Sequence, residues 1–504
     1  MNKLLLGSLA AGAGLAALRF ALRAESVTRT RSEPPAPAGR DASYEAVEAY
    51  IEGEMRRLKI PGVSLAIVEG DEMVHVRSLG QARPGGEAPT PQTPFFIGSL
   101  TKSVTALAVM QLVEAGKVEL DTPVQRYLPW FRVADPAASA EITVRHLLNQ
   151  TSGLPESAGE LDDFDESPDA GERQARALAS LRLIHPPGSV VEYCNMNYVL
   201  LGLILEAASG ESYEDYIQQH ILNPLGMHHT YTSRAAAREN GLAMGHRYWF
   251  GFPVPQPDLP FPRGGIAAGQ LISTAEDMAR WLIAHMNDGR CGETQILSAA
   301  GIRELHRGAM EYRKMGISAG KYAMGWLDGE LGQTRVLWHS GTVPDFEGYM
   351  AILPEQKTGV VLLFNACTWW FNPVYIDLGA QVTALLAGEP YKPTPFSTLV
   401  PWMLPGQLLI PAFQVADVAA TMWLLRGRRE NAKEKWALAV LLPLVPNLLI
   451  ALTLKSMLGR RRSYLKLYMP DYSWIATICG SFSLVWSFLR TALVLRALKG
   501  PSSR

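Results

Sequence analysis

The sequence predicts an α+β fold, an α/β sandwich in which helices flank an antiparallel sheet and a helical insert divides the sheet's strands. Three observations predict it. Strand-like runs stand at both ends of the body, within residues 63–79 and 322–364, and helical patterns lie between them. Ser99 and Lys102, three residues apart, open an apolar run with helical spacing. Beyond residue 398 come three apolar runs, each about the roughly 20 residues that a membrane-spanning helix needs.

In chain order, residues 1–24 read as a signal peptide or signal anchor: Lys3, an almost wholly apolar stretch from Leu4 to Leu18, then Arg19 and Arg23. Residues 25–40, rich in Pro, Arg, Ser and Ala, read as a linker, and residues 41–390 as the folded domain. Ala46, Val47, Tyr50, Ile51, Met55 and Leu58 share one face of an amphipathic helix ended by Pro61-Gly62. Val63–Val68 and Met73–Leu79 follow as strands around a Gly-Asp-Glu turn. After the serine helix comes a connecting segment, Leu120–Phe131, and then a helix through Ile142–Leu148. The acidic run Glu160–Glu172 reads as a solvated loop; a deacylation base within it is the sharper alternative. Helices are expected at Tyr198–Ala208, around Tyr213–Leu222 and at Ser273–Met286, the last capped by Ser273 or Thr274. Tyr322–Leu327, Arg335–Trp338, Gly348–Leu353 and Gly359–Phe364 read as strands, and Val374–Leu386 as a closing helix, with both ends of the domain completing the sheet edge.

The three C-terminal runs, Leu399–Leu425, Trp436–Leu454 and Trp474–Leu495, place a transmembrane helix bundle at residues 398–495, before a tail at 496–504. Asp417, near Pro401, Pro405 and Pro411, reads equally as a polar contact among helices and as a solvated kink. Basic residues 426–435 favour a cytoplasmic first loop, but Arg460–Arg462 and Lys466 make the second loop basic too. The export signal therefore decides the expected orientation: a multi-pass protein of the cell membrane with its domain on the extracytoplasmic side.

Composition narrows the function. A length of 504 residues suggests two or three units, and a formal net charge of −1 gives no global attraction for nucleic acid. Cys194, Cys291, Cys367 and Cys479 have no paired spacing, so neither a disulfide framework nor a zinc knuckle is expected. His228, His229 and His246 lack a third ligand at suitable spacing, so no metal and no cofactor is expected.

The Ser99/Lys102 pair carries the chemistry. Positions i and i+3 share a helix face, so the amine lies beside the hydroxyl. A serine hydroxyl needs a neighbouring base, and a lysine can be one only where burial or nearby charge lowers its pKa, for which an apolar helix start is a fair place. A second Ser-x-x-Lys, Ser463 to Lys466, sits in a basic segment between apolar runs and reads as chance.

In order along the chain, Ser99-Leu100-Thr101-Lys102, Tyr193-Cys194-Asn195 and His339-Ser340-Gly341 resemble the three motifs of the serine β-lactamase and penicillin-binding superfamily, on its class C side. The third is usually Lys-Thr-Gly. Lys357-Thr358-Gly359 spells that motif, but it falls in a turn between two strands, so the His form is preferred. The stretches HLLNQTSGLP, NPLGM and STAEDMARW also resemble that family. The resemblance implies that Ser99 attacks a carbonyl while Lys102 and a Tyr193 phenolate share the proton. It implies backbone N–H groups of Ser99 and Thr342, beside Gly341, around the oxyanion. Asn195 would hold the substrate amide, and His339 would face the leaving side or a substrate carboxylate. The implied substrate is a small molecule or peptide: a D-amino-acid peptide, an ester or a β-lactam. Loss of the third-motif lysine argues against efficient lactamase activity. The alternatives are a peptidase that trims N-acyl-D-amino-acid caps from non-ribosomal peptides, and a penicillin-sensing receptor acylated without turnover.

Overall fold

The computed structural model describes residues 40–160, 165–259, 261–314, 317–426, 433–457 and 461–498. The expected signal segment 1–24 lies outside the described residues, as do linker residues 25–39. Residues up to Ala46 form a separate unit, described only as the start of helix α1 (Arg40–Leu58); from Val47 onward the chain is one body.

Eight strands make the main sheet: β1 (Gly62–Glu69), β2 (Glu72–Gly80), β3 (Met310–Lys314), β4 (Ile317–Ala323), β5 (Trp326–Leu331), β6 (Thr334–Val343), β7 (Phe346–Leu353) and β8 (Thr358–Phe364). Their spatial order is β2-β1-β8-β7-β6-β5-β4-β3, antiparallel throughout. The N-terminal hairpin thus joins the last strand, Val63 opposite Phe364 and Glu69 opposite Thr358. Only β2 of that end is an edge; β8, expected at the rim, lies inside. Every residue of β7 and β8 is buried, which matches their near-continuous apolar sequence and a sheet covered on both faces. Helix α4 (Ala275–Met286) covers β1 and β8 on one side, and helix α5 (Asn372–Ala387) covers β7 on the other. Thr274 caps α4 by accepting from the Asp277 N–H.

The helical insert holds helix α2 (Thr101–Glu114), which carries the serine turn, against helix α3 (Asn195–Ser209). Eleven of the fourteen α2 residues are buried, so this is a central helix with no polar face. The run Tyr322–Leu327 is two strands rather than one. Gly325 turns the chain between β4 and β5 with φ +79°, and a Cβ there would meet the Ser103 backbone at 2.7 Å. The hairpin reverses because its turn lies against α2 and only glycine fits. Met310–Lys314 and a hairpin, Gly245–Trp249 with Phe252–Gln256, were not expected. Proline at 253 and 255 masks the latter's strand character, since proline removes ladder donors.

Among the described residues one helix, Pro470–Arg496, is long and apolar enough to cross a membrane, with mean hydropathy 1.6. Pro395–Gly406 and Leu409–Trp423 meet at a 45° bend and together make a second candidate. The middle run contributes a shorter apolar helix, Pro443–Lys455. The three expected spans thus reduce to one, or to two with the bent pair, and a bundle of three is not shown. Asp417 is a polar contact among helices. Its carboxylate accepts from Asn447 Nδ2 and Trp486 Nε1, both at 2.9 Å, and lies 3.5 Å from Arg490 Nε. Ser483 donates to Asn447 at 2.9 Å, and Gln414 donates to Ser483 at 2.8 Å.

Beneath α4, His285 Nδ1 and His306 Nε2 lie 2.9 Å apart between Trp281 and Trp326. Burial pushes His285 well below its ordinary 6.5, and His306 down to about 3. Below pH 6.5 the unfolded chain takes up protons that the folded pair refuses, so stability falls with pH from 6.5 toward 3. For His306 this penalty is about 2 kcal/mol at pH 5 relative to pH 7, and His285 adds to it in the same direction. The double variant His285→Phe/His306→Leu should lose less stability than wild type between those pH values, as measured by thermal unfolding.

Candidate active site

The serine turn is held on both flanks by a segment far along the chain. Phe95-Phe96 pairs with Ile272-Ser273, Ile97 donates to Leu271 O at 3.1 Å, and the Thr101 hydroxyl accepts from the Leu271 N–H at 3.3 Å. Ser99 then sits in a single 3-10 turn, Gly98–Leu100, leading into α2. Gly98 has φ +54°, and a Cβ there would lie 2.5 Å from the Thr342 nitrogen. From the other side, a Cβ on Gly341 would lie 2.0 Å from Ile97 O and 3.0 Å from the Ser99 nitrogen. Two glycines thus bring the N–H groups of Ser99 and Thr342 to one place, as an oxyanion site requires.

Lys102 is fully buried. Its Nζ lies 3.0 Å from Ser99 Oγ, 2.8 Å from Asn195 Oδ1 and 2.6 Å from Ala268 O. Two of these partners are carbonyl oxygens that only accept; the third, a hydroxyl, can also donate. A neutral amine satisfies the set in one way. It donates to Asn195 and Ala268 and turns its lone pair to the Ser99 proton. Burial lowers Lys102 from 10.5 to about 7, against a small opposing effect of Cys194, so near neutral pH this form is populated.

Tyr193 stands over the same pair, its ring centroid 4.9 Å from Lys102 Nζ. Burial holds Tyr193 well above its ordinary 10, with Tyr322 adding to the shift and Ser99 opposing it. Burial also disfavours the charge on Lys102, so these surroundings do not favour the expected phenolate.

Asn195 opens α3, and its Oδ1 faces Lys102, so only its Nδ2 remains for a substrate carbonyl. The loop before it is clamped by Gln150, fully buried at φ +58°. Gln150 O accepts from the Glu192 N–H at 2.9 Å, and its Oε1 accepts from the Cys194 N–H at 3.0 Å. The Ala268 carbonyl and Gln150 were missed. A backbone oxygen carries no side-chain signature, although a glutamine buried between an apolar helix and Thr151-Ser152-Gly153 is a visible anomaly.

His339 and Gly341 lie within β6 itself, on the face turned to the serine. The His339 ring, buried, sits 6.2 Å from Tyr193 and 6.3 Å from Tyr322, with Nδ1 2.6 Å from Ser340 O. Strand β5 pairs with β6 only as far as Trp338, so residues 340–343 run on past the end of β5, beside the serine turn. Lys357 lies in the β7–β8 turn, its carbonyl bonded to the Gly70 N–H at 2.8 Å, away from this site. Four acids of the 160–172 loop pair elsewhere: Asp165 and Asp169 with Arg173, Glu166 with Arg234, Glu172 with Arg176. The second Ser-x-x-Lys falls on the helix Arg461–Tyr468. Among the described residues no cluster of three His, Cys, Asp or Glu is placed to hold a metal.

The family model described as Beta-lactamase matches residues 47–381. Penicillin-binding protein 4 of Amycolatopsis lactamdurans is 31% identical over 346 residues, covering 66% of this chain and 89% of that protein. Protein flp of Staphylococcus aureus strain MW2 is 28% identical over 342 residues, 68% of this chain and 66% of flp. The structure of the octameric penicillin-binding protein homologue from Pyrococcus abyssi shares 30% identity at TM-score 0.62, over 70% of this chain and 80% of that one.

A depressed lysine pKa costs folding energy while the unfolded chain stays protonated. For Lys102 the window runs from about 7 to 10.5, and the cost is roughly 4 kcal/mol at its lower end. Relative to Lys102→Met, wild type should therefore gain stability between pH 7 and pH 10; denaturant unfolding at both pH values measures the difference.

Proposed function

The chain belongs to the beta-lactamase family and is a serine hydrolase of the β-lactamase-related type; from that premise we propose that it is membrane-anchored and works through an acyl-enzyme on Ser99. The observation that carries the nucleophile is the buried amine of Lys102, 3.0 Å from Ser99 Oγ, with carbonyl acceptors for its other two hydrogens.

Ser99 Oγ attacks the substrate carbonyl carbon and its proton passes to Lys102 Nζ. The new oxyanion lies between the Ser99 and Thr342 N–H groups. On collapse, the carbonyl–heteroatom bond breaks and the Tyr193 hydroxyl gives its proton to the leaving group. Lys102 returns a proton to Tyr193 through the Ser99 oxygen region. Water then enters by the same path in reverse, and serine leaves. Asn195 Nδ2 and the end of β6 beyond β5 fit a peptide-like amide laid alongside residues 340–343, with His339 close by. A histidine here supplies no permanent cation for a substrate carboxylate, which favours a penicillin-binding peptidase or esterase over a lactamase. The name of the Amycolatopsis relative points the same way.

The C-terminal helices support the membrane reading by their polarity. Val415, Phe488, Val485 and Leu449 are exposed, while Gln414, Asp417, Asn447, Ser483 and Arg490 are buried among the helices. Such an inverted arrangement suits lipid, where polar side chains must find partners inside the protein. With an export signal at residues 1–24, the hydrolase faces the extracytoplasmic side.

Two measurements test this. Benzylpenicillin should form a covalent adduct with wild type that intact mass resolves and Ser99→Ala abolishes; an adduct retained by Ser99→Ala refutes the nucleophile. The acylation rate should fall as pH drops through about 7, because the base must be unprotonated. Lys102→Gln should lower the rate by about 10²–10⁴-fold and erase that limb.

A further inference from the structure

Strand β6 is supported unevenly. Up to Trp338 it is paired with β5 and β7, but at Thr342 and Val343 its strand register partners are on β7 alone. The oxyanion donor Thr342 lies in this half-supported stretch, where an ångström of movement would misplace its N–H.

The reverse side of that stretch carries a buried polar lock. Thr342 is the register partner of Glu347 on β7. The Thr342 hydroxyl donates to Glu347 Oε1 at 2.8 Å and accepts from Asn372 Nδ2 at 2.7 Å. Asn372 Nδ2 also donates to Glu347 Oε1 at 2.8 Å, and Cys367 Sγ to Oε2 at 3.2 Å. Glu347 is fully buried and Asn372 is 3% exposed, so water does not compete. Two residues on, Asp345 at φ +71° is gripped by both branches of the Arg247 guanidinium, at 2.7 and 2.6 Å, which fixes the β6–β7 turn. Backbone pairing alone would hold an apolar residue at 342 equally well; a desolvated carboxylate beside it needs another reason to be there.

We propose that Glu347 and Asn372 are positioning residues for the oxyanion site, holding the Thr342 N–H at its place beside Ser99 through the Thr342 side chain. This rests on Ser99 acting as nucleophile. Neither residue touches substrate. Because the oxyanion forms only after attack, loosening its donor should slow acylation with little change in the affinity of the initial complex.

The test uses the full chain and a fluorophosphonate probe, whose phosphoryl oxygen occupies the same donor pair, with benzylpenicillin as second acylating agent. Asn372→Ala and Thr342→Val should each lower the limiting labelling rate about 10–100-fold at unchanged half-saturating concentration. The double variant should be little slower than either single one, since both break the same lock. Thr342→Ser, which keeps the hydroxyl, should recover most of the rate. A structural role alone would lower the unfolding temperature and the fraction of labelled chains but leave the rate per labelled chain as in wild type, and that result overturns the proposal. Labelling that persists in Ser99→Ala would instead overturn the nucleophile assignment on which the proposal stands.

Discussion

A lysine side chain taken wholly out of water is the constraint around which this domain is built. Its charge is unfavourable there by several kcal/mol, and among the described residues only Cys194, not a carboxylate, opposes the effect of burial on Lys102. The amine is instead given three oxygen partners from three separate places in the chain: Ser99, Asn195 and Ala268. Each needs its own support. Phe95-Phe96 paired with Ile272-Ser273 ties the serine turn to the Ala268 segment, and Gln150 ties down the loop before Asn195. The helical insert is thereby a frame for one amine, and its apolar packing lowers the pKa as well as stabilising the fold.

The second constraint is backbone proximity. The serine turn and β6 meet with Gly98 and Gly341 facing each other's main chains, while Gly325 presses the β4–β5 turn onto α2. At each contact a Cβ would come within 2.7 Å or less of backbone. Side chains can shift to relieve such a clash; two main chains in a sheet and a helix cannot. The donor geometry is therefore set by the absence of side chains, and the residues around it work by holding the backbone at a distance already fixed.

What the sequence showed follows from that division. Ser99, Lys102, Tyr193, Asn195, His339, Gly341 and Thr342 are placed around one cleft, and each was legible because motif order and local periodicity are one-dimensional. The turn context of Lys357 exposed the decoy for the same reason. Ala268 was not legible, since its contribution is a carbonyl. Glu347 and Asn372 were not, since one lies on β7 and the other opens α5, 25 residues apart in sequence. The expected phenolate counted the Lys102 charge as an asset to Tyr193, whereas burial disfavours that charge as it disfavours the phenolate. The β4–β5 turn was hidden because Tyr322–Leu327 is apolar throughout, and only the contact with α2 reveals why Gly325 must reverse the chain.

The C-terminal helices are joined to the domain in a way that bears on where the cleft works. Asp471, at the start of the longest apolar helix, accepts from the Phe250 N–H at 3.2 Å and from Gln407 at 3.1 Å. The Thr368 hydroxyl donates to Tyr468 O at 3.0 Å, and Trp369 and Trp370 meet the rings of Tyr468 and Tyr472. These contacts fall on the segment immediately before Asn372. A flexible linker would let the cleft sample any distance from the lipid surface; polar bonds and aromatic pairs on both sides of residues 368–372 exclude that freedom. The C-terminal helices therefore touch the domain close to Asn372, the residue whose amide donates to the Thr342 hydroxyl.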